Sequence, residues 1–226
     1  MIEKLEPVIS ARGLSCGFEN GFLFEDLNFD IYPGEAICVR GKSGLGKTTL
    51  LYCMSGIIPH IQSAQTAGEV MFFGKNIIEV PITEIASKLG FIFQDPDIQL
   101  FSDIIEEDIV FGPENLCFSW DEIDESLLEA LRALNIEDLR DKSAKNLSGG
   151  QKQLAAIASV IAMKPQILIL DEIAAQLDKN SRASVARAIK EKKDAGVSIV
   201  MIDHDDCFID LVDRVFDLER GAWSRK

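Results

Sequence analysis

Apolar and polar residues alternate along this chain with two different periods. Leu27, Phe29 and Ile31 are separated by the polar Asn28 and Asp30, and this period of two is typical of an antiparallel strand that buries one face. Other apolar runs are short and end at turn residues, which favours further strands. These strands are predicted over residues 8–14, 36–39, 68–73, 89–93, 167–170, 197–202 and 214–219. The residues after the last strand are predicted to form a frayed tail.

Apolar residues three and four apart predict helices between these strands. Ser119 and Glu122 have the spacing of a capping box, and the helix after them carries its apolar residues on one face, at positions 123, 127, 128, 131 and 134. Other helices are predicted over residues 48–55, 103–111 and 149–163 and from about residue 180. Gly112-Pro113 is predicted to end the second of these. The region from about 95 to 150 is therefore expected to be a helical subdomain inserted between strands.

One glycine-rich loop fits the phosphate-binding pattern G-x-x-x-x-G-K-[ST]. It consists of Gly41, Lys42, Ser43, Gly44, Leu45, Gly46, Lys47 and Thr48, followed by Thr49. A predicted strand leads into the loop and a predicted helix leads out, which is the context that the motif needs. Its glycines let successive N–H groups point at one anion, Lys47 adds a charge near the β- and γ-phosphates, and Thr48 can offer a hydroxyl to Mg²⁺. This context disfavours a glycine-rich turn with a chance lysine.

A second glycine pair begins the helix predicted over 149–163. Ser148 precedes Gly149-Gly150, and Gln151 follows them, so the N-terminus of this helix offers another anion-binding arrangement. The alternative is a purely structural N-cap, in which Ser148 and Gln151 form a capping box. Without the phosphate-binding loop, this alternative would be preferred.

Two carboxylates follow the most apolar strand. The run over 167–170 is continuous, as in a central parallel strand, and it ends in Asp171-Glu172. Beside a phosphate-binding loop, Asp171 can hold Mg²⁺ directly or through water, and Glu172 can act as a general base on the water that attacks the γ-phosphate. Adjacent carboxylates are usually only a solvated strand end, but the four apolar residues before them favour the catalytic interpretation. Asp178 follows in a loop before the next helix.

Three further positions are weaker candidates. Gln94 ends the strand over 89–93, where ligands bind in open α/β sheets, and it can reach Mg²⁺ or the attacking water, although glutamine at a strand end is ordinary. His204 follows the strand over 197–202 and can contact a γ-phosphate. Phe18, ahead of the loop, offers an aromatic face to a nucleotide base. On spacing alone, a core or turn phenylalanine is the favoured interpretation of Phe18.

Composition narrows the class of protein. The 226 residues, 47% of them hydrophobic, predict one large domain, or one domain with a subdomain, and a sizeable core. The net charge of −14 disfavours a nucleic-acid surface, so we expect no nucleic-acid partner. Five scattered cysteines without a C-x-x-C pattern predict reduced thiols. We expect no signal peptide and, because no apolar run approaches about 20 residues, no membrane span.

Together and in this order, the motifs resemble the nucleotide-binding subunits of ABC transporters over nearly the whole chain. The matching elements are Walker A at 41–48, the Q-loop glutamine Gln94, the signature at 147–151, Walker B at 167–171, the catalytic carboxylate Glu172, the D-loop aspartate Asp178 and the switch histidine His204. The L-S-G-G-Q sequence of the signature is specific to this family.

The resemblance implies an α/β fold. Its parts are a P-loop NTPase core with a mostly parallel sheet, an N-terminal antiparallel β subdomain and an inserted helical subdomain that carries the signature. A single ABC ATPase domain is expected over residues 1–226. The core and β subdomain are expected at about 1–94 and 165–226, and the helical subdomain at about 95–164.

The resemblance also implies how the motifs act. ATP and Mg²⁺ are the implied cofactors, and ATP is held between two such subunits arranged head to tail, in a homodimer or in a heterodimer with a related chain. The phosphate-binding loop and Thr49 of one subunit hold phosphate, and Thr48, Asp171 and Gln94 hold Mg²⁺. Residues expected to complete the nucleotide site are Ser148, Gly149, Gly150, Gln151 and Asp178. Phe18 falls where the family has an adenine-stacking aromatic residue.

Two segments are similar to the ATPases of energy-coupling-factor and cobalt-type importers, which take up vitamins or transition-metal ions through small membrane proteins. These segments are residues 94–101 and 111–116. The implied partners are a transmembrane coupling protein and a membrane substrate-binding subunit, and the implied location is peripheral, on the cytoplasmic face of the cell membrane.

Three positions depart from the family pattern. Ile173 stands where a proline usually follows the Walker B glutamate, Gln176 stands where the D-loop has a small residue, and Leu154 stands where the signature helix usually has an arginine. None of these changes removes a group that takes part in chemistry. Leu154 puts a supporting salt bridge in doubt, and Gln176 is expected to alter contacts across the dimer.

The segment 94–101 is expected to contact the membrane partner. Ile98, Leu100 and Phe101 are predicted to be exposed and, with the acidic helix over 103–111, to line a groove for a short helix of a transmembrane protein. The acidic residues expected to favour basic residues on that helix are Asp95, Asp97, Asp103, Glu106 and Glu107. The alternative is that the apolar side chains fold inward as core.

Two other functions share the same motifs. A soluble ABC-type ATPase acting on the ribosome, DNA or a protein complex is disfavoured by the acidic charge and by the lack of a second ATPase unit or a coiled-coil insertion. An exporter subunit without its membrane domain is disfavoured by the segment 111–116.

Overall fold

The structure, a computed structural model, describes residues 5–19 and 21–224. Its strands are β1 (Ile9–Phe18), β2 (Gly21–Ile31), β3 (Ala36–Arg40), β4 (Gln65–Phe72), β5 (Lys75–Asn76), β6 (Leu89–Ile92), β7 (Ile167–Asp171), β8 (Ser198–Ile202), β9 (Arg214–Asp217) and β10 (Ala222–Ser224). Its helices are α1 (Lys47–Met54), α2 (Ile57–His60), α3 (Ile82–Lys88), α4 (Ile105–Asn115), α5 (Trp120–Leu134), α6 (Gly149–Ala162) and α7 (Lys179–Asp194). From the sequence, Glu19-Asn20-Gly21 is predicted to break the chain between the first two strands, and Asn20 lies outside the described residues.

The strands form two sheets. One has the order β2-β1-β4-β5, and all its pairs are antiparallel. The other has the order β10-β9-β3-β8-β7-β6, and only the β10–β9 pair is antiparallel. This agrees with the predicted fold class, a mostly parallel core sheet with an antiparallel β subdomain. β2 follows the predicted alternation, with Leu27, Phe29 and Ile31 buried and Asn28 exposed.

The parallel sheet is apolar on both faces because helices and the β subdomain cover it. All five residues of β7 and all five of β8 are buried, as expected for central parallel strands. Alternate residues of β7 belong to two different cores. Leu168 and Leu170 pack with the helices, whereas Ile167 and Ile169 pack with the β subdomain.

The helices α4, α5 and α6 lie between β6 and β7 in the chain and pack on one another. The apolar stripe predicted for α5 is buried at Ile123, Leu127, Leu131 and Leu134. The inclusion of Leu128 is wrong, because that side chain is exposed. Ser119 and Glu122 form the predicted capping box, with the Ser119 hydroxyl accepting a hydrogen bond from the Glu122 N–H group. The stripe, not the helix propensity alone, fixes α5 on the core.

The prediction that Gly112-Pro113 ends its helix is wrong. The helix α4 begins at Ile105 and continues through both residues to Asn115. Gly112 is needed for packing, since a Cβ atom there would lie 2.5 Å from Cγ of Met163. Beyond the proline, the Phe118 N–H group donates to the Pro113 carbonyl (3.1 Å), which closes the helix end.

The expected frayed tail is also wrong for the residues that the structure describes there. Residues 222–224 form β10, which pairs with β9. Trp223 holds this edge in place, because its ring packs against Phe216 with ring centroids 5.2 Å apart and the Arg214 guanidinium lies 3.4 Å over the ring. Residues 225 and 226 are not among those described.

Within residues 5–19 and 21–224, no helix has both the length and the apolar character needed to cross a membrane.

Candidate active site

The phosphate-binding loop joins β3 to α1 and is shaped by its glycines. Gly44 and Gly46 have φ angles of 83° and 85°, a left-handed conformation that other residues adopt at a cost. Gly46 directly precedes α1, so the helix begins at Lys47 with its first N–H groups at the loop. This is the backbone arrangement that binds phosphate.

The Lys47 side chain folds back over the loop. Lys47 is 6% exposed, and its Nζ donates to the carbonyl oxygens of Gly41 (3.0 Å) and Lys42 (2.9 Å). The ammonium group is therefore held inside the curl of the loop, where a bound anion would meet it. Lys42, in contrast, is exposed and pairs with Glu219. Ser43 and Gly44 are exposed as well.

Three adjacent parallel strands carry the predicted catalytic residues to one edge of the sheet. β6, β7 and β8 are neighbours, so the residues that follow them meet. Nε2 of Gln94 donates to Oε2 of Glu172 (3.1 Å), and Nε2 of His204 lies 2.8 Å from Oε1 of Glu172. Both oxygens of the Glu172 carboxylate are thus engaged by side chains from the neighbouring strand ends.

The backbone at Glu172 is in an uncommon conformation. Its φ angle is 50°, which is rare for a residue other than glycine and marks sites where surrounding structure imposes the geometry. The Glu172 N–H group donates to the carbonyl of Ile202 (3.1 Å). The chain therefore turns at the end of β7 so that the carboxylate faces Gln94 and His204 and not the helices behind the sheet.

Asp171 is buried beside the phosphate-binding loop. It is 3% exposed, and burial raises the pKa of its carboxyl group, against an opposing effect of its hydrogen bond with Thr48. Its Oδ1 is buried without a hydrogen-bond partner, which is costly unless another group satisfies it. Oxygen donors at Asp171 and Thr48 are ligands that suit Mg²⁺, and the unsatisfied oxygen fits a cation at this position.

The described residues contain no cluster of three or more histidine, cysteine, aspartate or glutamate side chains arranged to hold a metal ion. A magnesium ion here would therefore take further oxygen ligands from a nucleotide or from water, as Mg²⁺ commonly does.

The signature motif begins α6 as a capped helix. The Ser148 hydroxyl accepts a hydrogen bond from the Gln151 N–H group (3.3 Å), and Oε1 of Gln151 accepts one from the Ser148 N–H group (3.0 Å). The structural alternative, a capping box, is thus present. It leaves the N–H groups of Gly149 and Gly150, in the first turn, at the helix N-terminus, which is the anion-binding end of a helix.

Gln176 lies on the signature glycines of its own chain. A Cβ atom at Gly149 would be 2.4 Å from Oε1 of Gln176, and one at Gly150 would be 2.9 Å from its main-chain oxygen. The main-chain contact leaves no room for a side chain at Gly150 unless the backbone shifts, whereas the flexible end of Gln176 can move away from Gly149. Leu154, the other departure near this motif, is 6% exposed and packs in the apolar core with the helices.

Asp178 and Phe18 are the remaining residues predicted for the nucleotide site, and both make contacts within the chain. Oδ1 of Asp178 accepts a hydrogen bond from the Ser181 N–H group (2.8 Å) and caps α7, and this bond lowers the pKa of the carboxyl group. Phe18 ends β1, is half-buried and packs against the core shared with Leu45. Neither contact involves the cluster that Glu172 forms with Gln94 and His204, here called the Glu172 cluster.

A set of side chains that the sequence patterns do not reveal connects the segment after β6 to α6. Nε2 of Gln153, a buried residue, donates to the Phe93 carbonyl (3.2 Å). Nε2 of Gln99 donates to the Ala156 carbonyl (3.0 Å), and Lys152 pairs with Asp97 (2.6 Å). The only signal in the sequence is a polar Gln153 on an otherwise apolar helix face. These contacts connect the Gln94 segment to the signature helix.

A cavity lies where the groove is predicted, but neither Ile98 nor Leu100 lines it. Phe101 and Phe111 are 64% and 48% exposed and stack edge to face, with ring centroids 4.7 Å apart. They line a cavity of about 220 Å³ together with Phe91, Phe93 and Met163. Ile98 is exposed as predicted. Leu100 is half-buried and packs on the helical core, so the expectation that it is exposed is wrong.

Most of the acidic residues predicted to attract the partner form ion pairs within the chain. Asp97 pairs with Lys152, Asp103 pairs with Lys145, and Glu106 pairs with Arg140. Arg140 lowers the pKa of Glu106. Among the described residues, Asp95 and Glu107 form no such ion pair, so the negative charge available to a partner is smaller than the sequence indicates.

Comparison with known proteins identifies the family. The family model described as ABC transporter matches residues 24–175. An ABC transporter ATP-binding protein of Saccharolobus solfataricus is 38% identical over 193 residues, which are 85% of this chain and 36% of that protein. One of Pyrococcus horikoshii is 35% identical over 218 residues, which are 95% of this chain and 77% of that protein. The chain spans about a third of the length of the first three curated relatives that it matches.

Two solved structures share the fold. CbiO1 from Clostridium perfringens, described as part of the ABC transporter complex cbiONQ, superposes with a TM-score of 0.82 at 32% identity, over 97% of this chain and 88% of that one. A dimeric ATP-binding cassette in a post-hydrolysis state, bound to ADP and phosphate, superposes with a TM-score of 0.81 at 23% identity, over 96% and 97%.

The family match and the two superpositions agree with the site described above. That site consists of the phosphate-binding loop, the Glu172 cluster and the N-terminus of α6. The chain belongs to the ABC transporter family and is an ATPase domain of the ABC type.

Proposed function

We propose that this chain is the ATP-binding and ATP-hydrolysing subunit of a membrane importer of the energy-coupling-factor type, which takes up a vitamin or a transition-metal ion. The observation that carries the proposal is the engagement of both Glu172 oxygens by Gln94 and His204 at the edge of the sheet beside the phosphate-binding loop. The membrane-facing part of the proposal is supported by the likeness to cbiO1, part of a cbiONQ complex.

ATP binding begins at the loop 41–48. A triphosphate entering the loop would replace the Gly41 and Lys42 carbonyls as partners of the Lys47 ammonium, and this exchange is favourable because a phosphate is charged and the carbonyls are not. The N–H groups of the loop and the start of α1 would bind the same phosphates. Thr49, half-buried in the first turn of α1, would contribute to this site, and Phe18 would face the base.

Thr48, Asp171 and Gln94 would hold the magnesium ion. The unsatisfied Oδ1 of Asp171 is the feature that fits such an ion. When bound, Mg²⁺ would neutralise negative charge on the β- and γ-phosphate oxygens.

Hydrolysis would depend on Glu172. Its carboxylate would accept a proton from the water that attacks the γ-phosphate. His204 and Gln94 contact the carboxylate from both sides (2.8 and 3.1 Å), so they would orient it toward the attacking water. The three groups would then act on one side of the γ-phosphate.

A second ABC ATPase subunit would complete the site. The N-terminus of α6, with Ser148, Gly149, Gly150 and Gln151, would cover the γ-phosphate held by its partner, and Asp178 would lie at the same interface. The N–H groups in the first turn of α6 supply the attraction for phosphate. The pair can be a homodimer or a heterodimer, because each chain carries both halves of the site.

The membrane partner would dock in the groove at Phe101 and Phe111. The groove holds about 220 Å³, and its exposed aromatic rim suits the apolar face of a short helix. Gln99 and Gln153 link this region to α6, so a movement of the partner's helix would reach the signature. We infer a transmembrane coupling protein, a membrane substrate-binding subunit and a peripheral location on the cytoplasmic face of the membrane.

The test is co-purification with activity. The chain, tagged and expressed in its own cells, is isolated from a detergent extract, and the complex is assayed for Mg-dependent ATP hydrolysis and for uptake after reconstitution. A complex with a coupling protein and a small substrate-binding membrane protein supports the proposal. Co-purification with ribosomal or nucleic-acid components and no membrane protein would contradict it.

A further inference from the structure

One ion pair joins the strand before the phosphate-binding loop to the loop after β8. Nη2 of Arg40 donates to Oδ1 of Asp206. Arg40 is the last residue of β3 and directly precedes Gly41. Asp206 lies two residues after His204. The contact therefore links the phosphate-binding loop to the segment that carries the switch histidine.

The segment 203–208 also makes contacts within itself and with α7. Oδ2 of Asp203 accepts a hydrogen bond from the Phe208 N–H group (2.7 Å), which closes the segment on itself. Arg182, on α7, donates to Sγ of Cys207 (3.1 Å). Phe208 also packs in the core that includes residues of β3, and Arg40 adds an ion pair at the end of that strand, beside the phosphate-binding loop.

Both residues line the same cavity as the catalytic groups. Arg40, Asp206, Lys47 and His204 surround a space of about 210 Å³ beside the loop. Asp206 has a φ angle of 56°, a left-handed conformation that is uncommon outside glycine, although aspartate adopts it more readily than most residues. The backbone thus departs from its preferred form at the point where the carboxylate reaches Arg40.

We propose that Arg40 and Asp206 are positioning residues that hold His204 in reach of Glu172. The inference rests on the proposed role of Glu172 and His204 in ATP hydrolysis. Neither residue of the pair needs to touch the nucleotide. Their ion pair fixes where the segment after β8 stands relative to β3, and so fixes the 2.8 Å approach of His204 to Glu172.

Because the ion pair is exposed, its effect on turnover can be distinguished from its effect on the stability of the fold. The Arg40 and Asp206 side chains are 42% and 55% exposed, and exposed ion pairs contribute little to folding. Loss of the pair should therefore leave the melting temperature unchanged. A small displacement of a catalytic group, in contrast, lowers turnover strongly. A fall in kcat without a fall in stability is the expected signature.

The experiment uses Asp206→Asn, Arg40→Gln, and the exchanged pair Arg40→Asp with Asp206→Arg. We expect each single variant to lower kcat by about 3- to 30-fold while ATP affinity stays within about threefold, as expected for a positioning effect. The exchanged pair should recover most of the lost kcat, because the ion pair is re-formed with its ends reversed. The matched control is the exposed pair Arg12–Asp30, for which Asp30→Asn should leave kcat unchanged.

Amide hydrogen exchange of residues 203–208 in the nucleotide-free chain provides a second readout that needs no activity. Faster exchange in both single variants, restored in the exchanged pair, supports the proposal even if the chain proves to hydrolyse no ATP, an outcome that would overturn only the proposed function. Unchanged exchange and unchanged kcat in the single variants, or an exchanged pair as impaired as the worse single variant, would overturn the inference.

Discussion

His204 and Glu172 meet at the ends of two neighbouring parallel strands, with Nε2 of the histidine 2.8 Å from Oε1 of the glutamate. Gln94, from the strand on the other side, donates to the second oxygen of the same carboxylate (3.1 Å). The carboxylate is therefore oriented by side chains of the same chain. This arrangement leads to specific expectations for substitutions around it.

His204→Ala should lower kcat while nucleotide binding is largely kept. The histidine orients Glu172 and does not hold the phosphate-binding loop, so we expect a fall of about 10- to 100-fold in kcat with little change in ATP affinity. Steady-state ATPase assays and calorimetry measure the two effects. The chain offers a matched control in its other histidine, His60, which contacts the Ile77 carbonyl. His60→Ala should hydrolyse ATP at the parent rate, and equal losses in both variants would count against an oriented carboxylate.

The Lys47→Ala variant should bind MgATP more weakly than the parent. The substitution removes a buried charge from the centre of the loop, and a charged hydrogen bond of this kind accounts for about 10- to 100-fold in affinity. Calorimetric titration with MgATP measures the loss. Lys75→Ala, an exposed lysine on β5, is the control and should bind as the parent does. Equal affinity of Lys47→Ala and the parent would show that this loop does not hold the triphosphate.

The raised pKa of Asp171 should make the stability of the fold depend on pH. Burial raises the pKa of its carboxyl group above the ordinary value of 3.8, so the folded chain binds the proton more tightly than the unfolded chain. The contribution of this group to the free energy of unfolding is then fully present below pH 3.8 and is lost as pH rises through the raised pKa.

The measurement is denaturant unfolding without Mg²⁺ between pH 4 and 7, for the parent and for Asp171→Asn. Relative to the variant, which cannot titrate at this position, the parent should lose stability as pH rises. A difference between the two proteins that is constant over this range would contradict a raised pKa. Adding MgATP should remove much of the loss for the parent only, because the ionised carboxylate is then satisfied.

Phe101→Glu combined with Phe111→Glu should detach the chain from its membrane partner. Both rings are exposed at the rim of the groove, so charges there leave the fold intact and oppose an apolar helix. We expect the double variant to bind ATP as the parent does, to be lost from detergent-solubilised complexes and to abolish uptake. Leu100 is unsuitable for this test because it packs on the core.

The control for the groove variant is Ile61→Glu combined with Ile78→Glu. These residues are as exposed as the two phenylalanines, at 72% and 57%, but they lie near the β subdomain and away from the groove. The control should assemble and transport normally. If the groove variant also assembles and transports at the parent level, the partner docks elsewhere.

Much of the fold follows from local sequence patterns. The alternation at 27–31 predicts a half-buried strand, the run at 167–170 predicts a central one, and the capping box at Ser119 and Glu122 predicts the start of α5. In each case one local pattern decides the outcome, since it determines which face can be buried. The phosphate-binding loop and the signature are equally local, so their positions in the chain are evident from sequence.

The features that sequence analysis missed depend on distant packing. Gly112 is followed by proline, yet α4 continues to Asn115, and Met163, far away in the sequence, packs against the glycine. Residues 222–224 form β10 because Trp223 packs on Phe216. The order of the strands, which brings Gln94 and His204 to opposite sides of Glu172, is likewise a property of the assembled sheet. Ion pairs of the acidic residues, such as Glu106 with Arg140, could not be read from charge alone.

The most direct measurement is the behaviour of Glu172→Gln. The amide keeps the size of the side chain but cannot accept a proton from water, and loss of a general base typically costs about 10²–10⁴-fold in rate. We expect the variant to bind MgATP with the affinity of the parent, to lose nearly all ATP hydrolysis, and to accumulate as an ATP-bound dimer on size-exclusion chromatography. Steady-state hydrolysis by Glu172→Gln at close to the parent rate would show that Glu172 is not the general base.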